Sequence, residues 1–127
     1  MDLREHLRKQ VHAGFKWRDM FGELHDPKKM STHHVFFTWL MIWNHSAPKE
    51  LRIKKGNRYG GFPAFYTPTY MLDAFANLYW ELKRRQDTTM EQRLVVARIE
   101  GNFAPFIKEL QETAANEAML RAVEESL

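Results

Sequence analysis

From Val35 to Trp43 every residue but Thr38 is apolar, and Ser31 and Thr32 stand ahead of the run as capping residues. A helix built from it is apolar on every face, so the pattern predicts a central helix reaching about His45 and wrapped by others. A buried strand is the alternative. The shortage of β-branched residues and the flanking caps disfavour it. The run is far shorter than the roughly 20 residues a bilayer-spanning helix needs, so it belongs in a core.

Weaker stripes lie on either side. A first helix is expected to start at Asp2, with Glu5 three residues on in the arrangement of a capping box, and Leu3, Leu7 and Val11 recur every four residues along it. Gly14 and Gly22 leave its continuation through Phe15, Trp17, Met20, Phe21 and Leu24 open, and Pro27 ends whatever helix is there. Thr67-Pro68 opens a helix carrying Met71, Phe75, Leu78 and Leu82, with Lys83, Arg84 and Arg85 in its last turn, where cations oppose the helix dipole. Thr88 with Glu91, and Thr89 with Gln92, offer two overlapping capping boxes for a helix reaching Glu100. Pro105 opens a last helix through Phe106, Ile107, Leu110, Ala114, Leu120, Val123 and Leu127.

The stretch from Ala47 to Pro68 differs. It holds Pro48, Pro63 and Pro68 together with Gly56, Gly60 and Gly61, and Leu51 and Ile53 alternate with Arg52 and Lys54. Gly56-Asn57 suits a two-residue turn with Arg58 to Phe62 returning. A short basic hairpin or loop near residues 49–62, inserted in a mostly α single domain of about five helices covering 1–127, is the expected fold.

Composition sharpens this picture only in part. The chain has 127 residues, 44% hydrophobic and 28% charged, with nine Phe, four Tyr and four Trp, enough to build a core and too apolar for disorder. The absence of Cys removes disulfides and thiolate chemistry. No secretory h-region is present in the first 30 residues, so a cytoplasmic location is expected, and the size and lack of Cys suit a bacterial or phage accessory protein.

The net charge of +3 is modest, but it is unevenly spread. Residues 1–60 carry 12 basic and 6 acidic side chains, whereas residues 61–127 carry 7 and 10. Lys49, Arg52, Lys54, Lys55 and Arg58 cluster beside Tyr59, and Arg4, Arg8, His12 and Lys16 form a four-residue-spaced ridge on the first helix. Cations neutralise phosphates and a tyrosine stacks on an unpaired base, so Arg52, Lys54, Lys55, Arg58, Tyr59, Arg4 and Arg8 are the candidate nucleic-acid contacts. The plainer alternative is a solvated hairpin whose lysines discourage edge pairing.

The aromatics suggest a different partner. Gly61-Phe62-Pro63-Ala64-Phe65-Tyr66 is not periodic, and Trp80 lies off the Met71–Leu82 stripe. Tyr59, Phe62, Phe65, Tyr66 and Trp80 are therefore candidate anchors for a larger protein, as for a small inhibitor or adaptor of an enzyme.

Catalytic signals are thin. All six histidines lie in the first 45 residues, and His25-Asp26 with His33 or His34 faintly evokes a metal-dependent hydrolase, without a second ligand pair at a recognisable spacing. No catalytic residue, metal site or cofactor is assigned. The expected function is a non-catalytic binding protein contacting nucleic acid, with a protein-interaction module as the rival and a His/Asp hydrolase a distant third.

Overall fold

The computed structural model describes residues 3–53 and 62–127. The chain forms helix α1 (Leu3–Arg8), a two-stranded antiparallel hairpin of β1 (Trp17–Arg18) and β2 (Leu24–His25), and helices α2 (Thr32–Ser46), α3 (Pro68–Arg84), α4 (Met90–Glu100) and α5 (Phe103–Ser126). Single 3-10 turns occupy Pro27–Lys29 and Lys49–Leu51. The mostly α architecture with five helices matches the sequence pattern.

Local chemistry sets the helix starts. The Ser31, Thr67 and Thr89 hydroxyls accept from the amides of His34, Tyr70 and Gln92, each satisfying a donor that the first turn leaves unpaired. Of the two capping boxes ahead of α4, the structure uses Thr89 with Gln92. Helix α5 begins two residues before Pro105, which stays in the first turn where its missing N–H has no intrahelical partner.

The core lies between α2, α3 and the first half of α5. Trp39 stacks on Phe75 at 5.1 Å, Trp43 on Phe106 at 4.9 Å, and Phe75 meets Phe106 at 4.3 Å. Leu7 seals it from α1, and Val96 and Ile99 from α4. Contrary to the all-round apolar pattern, α2 is not enclosed on all sides. Phe37 is about half exposed, resting on His33 and Phe36, because the body covers α2 from α3 and α5 and leaves that face open.

The first helix is also shorter than its stripe implies. It stops at Arg8, six residues before Gly14, so Val11 is exposed and His12 and Lys16 do not continue a helical ridge. Asn77, buried on α3, explains the early stop: its Oδ1 accepts from the amide of His12 at 3.0 Å and its Nδ2 donates to the carbonyl of Gln10 at 3.1 Å. These bonds hold residues 10–12 in a non-helical path. The strand pairing among the described residues then follows at 17–25, where the sequence left helix open. In the stretch expected to form a basic hairpin, Lys49–Leu51 is a 3-10 turn and Arg52 is extended. Lys54, Lys55, Gly56, Asn57, Arg58 and Tyr59 lie outside the described residues.

An ionic clasp closes the far end of α3. Arg85 donates from Nε to Glu81 at 2.7 Å, from Nη1 to Thr32 at 3.0 Å, and from Nη2 to the carbonyls of Pro27 and Met30, both at 2.9 Å. The guanidinium fork thus ties α3 to the turn preceding α2.

Candidate interaction surface

The hairpin is built around one carboxylate. Asp19 Oδ1 accepts from the amides of Phe21 and Glu23, both at 2.9 Å, and Oδ2 meets His25 Nε2 at 2.8 Å. The His25 bond, with help from the two amides, holds the Asp19 carboxyl below the usual range. Gly22 takes φ 86°, a left-handed conformation open to glycine, and its amide closes the turn by donating to the carbonyl of Asp19 at 2.9 Å.

Three tyrosine hydrogen bonds anchor the hairpin to the start of α3. Tyr66 donates to the carbonyl of Arg18 at 2.7 Å, Tyr70 donates to that of Lys16 at 2.9 Å, and the amide of Arg18 donates to Tyr70 at 2.7 Å. Beneath them the rings of Trp17, Tyr66, Tyr70 and Phe15 stack, and buried Trp17 faces inward while Arg18 faces out. Burial pushes the Tyr66 phenol up to about 12 and raises Tyr70 as well. At the far end of this framework Phe21 is 97% exposed, with Met20 and Leu24 about half exposed beside it.

The sequence-derived anchors are thereby redistributed. Phe62 is half-buried and stacks on His45 at 4.1 Å, and Tyr66 supports the hairpin rather than facing outward. Phe65 packs edge-on against Tyr66 and lies under the Arg18 guanidinium, 5.0 Å from its ring centre. Trp80 is half-buried beneath Arg8, whose guanidinium sits 4.8 Å above the ring. Arg4 lies 4.0 Å from Glu100, and Arg52 donates to the carbonyl of Ala47 at 3.3 Å. The sequence pattern leaves Phe21 in an open helical continuation; Asp19 and Gly22 bracketing two apolar residues are the signal that marks the turn.

Arg8 and Trp80, assigned to different partners from sequence, share one groove of about 660 Å³. Val11, Phe15 and Pro27 join Trp80 as its apolar lining, and Lys28, Lys83 and Arg84 add to the charge of Arg8. Of its two carboxylates, Glu81 is engaged by Arg84 and Arg85, and Asp26 caps the amide of Lys28 and faces Lys16 at 3.7 Å. Comparison with protein-family models, with curated proteins and with solved structures finds no match to this chain.

His25, Asp26, His33 and His34 do not converge as a ligand set. Asp26 is turned to Lys28, His33 lies against Phe37 at 4.4 Å, and His25 meets His34 edge-on at 5.8 Å. His25 instead groups with Asp19 and Glu23, with ligand atoms within 4.8 Å of one another. The hairpin's own hydrogen bonds account for the Asp19–His25 pair, and Glu23 enters them through its backbone alone. Among the described residues no helix is long and apolar enough to cross a membrane.

Proposed function

We propose that this chain is a non-catalytic interaction module that docks onto a larger protein through the Trp17–His25 hairpin, with Phe21 as the anchor. One observation carries the reading: an almost fully exposed phenylalanine at the tip of a turn fixed by Asp19 inside and by Tyr66 and Tyr70 at its base. Holding a loop in its bound shape lowers the entropy cost of association, and buried aromatics dominate interface energies. Met20 and Leu24 widen the contact, and Lys16, Arg18, Lys28 and Lys29 flank it in sequence. The partner this surface suits has an apolar pocket rimmed by carboxylates.

The test is recovery of the partner from lysate on immobilised wild-type and Phe21→Ala protein, with and without nuclease. A stoichiometric protein retained by wild type, insensitive to nuclease and lost with Phe21→Ala supports the reading. Equal recovery on both proteins refutes it.

Nucleic acid is the second reading, favoured by the four cations that line one groove beside an indole. Each phosphate neutralised adds about 0.9 to the slope of log affinity against log salt. Lys28→Ala with Lys83→Ala would lower that slope by about 2 units on this reading. Failure to bind DNA or RNA at low salt ends it.

A further inference from the structure

Helix α5 outruns the body that it packs against. Its 24 residues span about 36 Å at 1.5 Å per residue, yet its buried residues, Phe103, Phe106, Ile107 and Leu110, all lie in the first third. Beyond them Met119, Leu120 and Val123 are each more than half exposed and Leu127 wholly so. At 3.6 residues per turn this second apolar stripe is centred roughly 135° around the helix from the core-facing one. Residues 111–127 also carry four glutamates (Glu112, Glu117, Glu124, Glu125) against Arg121 alone.

The groove at Trp80 is complementary to it in both respects: an apolar lining of Val11, Phe15, Pro27 and Trp80, rimmed by Arg8, Lys28, Lys83 and Arg84, four cations that outnumber Asp26 and Glu81 even with Lys83 3.5 Å from Glu100. The helix cannot enter the groove of its own chain. Helix α5 runs antiparallel to α3, with Phe103 against Tyr79 and with Glu109, Leu110 and Thr113 beside Pro68 and Met71. Its distal part therefore leaves the body at the start of α3, while the groove lies along the other end, from Asn77 to Arg84.

We infer that the occupant of the groove is the distal part of α5 from a second copy of this chain, each copy inserting into the other to close a two-fold dimer. Pairing between the two distal helices is disfavoured by their shared negative charge. Insertion into the groove sets that charge against cations and covers both apolar surfaces. The inference is independent of the hairpin, which lies on different residues.

Sedimentation velocity of the full chain across concentration and salt tests it. A dimer that weakens as salt rises is expected. Leu120→Asp with Val123→Asp should raise the dimer Kd by roughly tenfold or more, about 1.4 kcal/mol, with an unchanged helical circular dichroism signal because both positions are exposed. Lys28→Glu with Lys83→Glu should do the same, and adding Glu117→Lys with Glu124→Lys to that variant should restore the dimer. A monomer at every concentration and salt overturns the inference, as does a dimer that survives reversal of the groove charges. A groove that takes nucleic acid instead leaves the protein monomeric, which overturns it too.

Discussion

The ring of Tyr66 lies 5.2 Å from that of Trp17, tilted by only 17°, and the Tyr66 hydroxyl donates to the carbonyl of Arg18 at 2.7 Å. One side chain thus supports the hairpin by both stacking and hydrogen bonding. Two strands of two residues have little stability in water without such packing. Tyr66→Phe removes the hydrogen bond alone and should cost about 1 kcal/mol. Tyr66→Ala removes the stack as well, and amide exchange should then speed up from Trp17 to His25 but not in α2. Uniform protection in both variants would show that the hairpin stands without this contact.

Arg85 and Glu81 form the pair whose loss should be felt across the fold. The Arg85 side chain is 14% exposed and that of Glu81 7%. Arg85→Ala leaves Glu81 with Arg84 as its remaining ionic partner and strips the donors from Thr32, Pro27 and Met30. A loss of about 3 kcal/mol is expected, the lower end for a broken buried pair. Arg84→Ala, at a side chain 60% exposed, should cost less than about 1 kcal/mol. Urea denaturation of the two variants separates them, and similar losses would contradict this ranking.

Trp39 is fully buried between α2 and α3, against Phe75 and Tyr79. Trp39→Ala should destabilise the protein by about 3–5 kcal/mol, the usual range for deleting a large aromatic from a core. Phe37→Ala, one face away, should cost far less, because Phe37 is half exposed already. Thermal unfolding of both measures the contrast.

The hairpin should hold over a defined pH window. Asp19 titrates below its ordinary 3.8, so its contribution is complete above that value and is lost as pH falls through the lower, folded one. Tyr66 titrates at about 12 against an ordinary 10, so its contribution is complete below 10 and fades as pH rises through 12. The Phe21 and Glu23 amides should lose their Asp19 hydrogen bonds at the acid limit, seen as chemical-shift changes. Tyrosinate absorbance for Tyr66 should appear only well above pH 10.

Helices were legible in the sequence wherever their starts are set locally. Ser31, Thr67 and Thr89 cap with hydroxyls that reach amides only three residues on, so a short window contains the whole interaction. The hairpin was not legible for the opposite reason. Its ladder is two residues long, and it is held by Tyr66 and Tyr70 from 48 to 54 residues away. The early end of α1 likewise depends on Asn77, which reads as an ordinary polar position on α3. Arg8 and Trp80 were both singled out, but only the tertiary fold places one over the other.

Photo-cross-linking from position 21 tests the docking role of the hairpin most directly. A photoreactive phenylalanine analogue is placed at 21 and, in a control, at Glu91, an exposed site on α4. Position 21 should capture one discrete protein partner that position 91 does not. Phe21→Ala should then weaken that partner's affinity by about 2 kcal/mol or more, roughly 30-fold, while leaving the unfolding midpoint unchanged. Identical cross-linking patterns from the two positions, or full affinity in Phe21→Ala, would contradict the assignment.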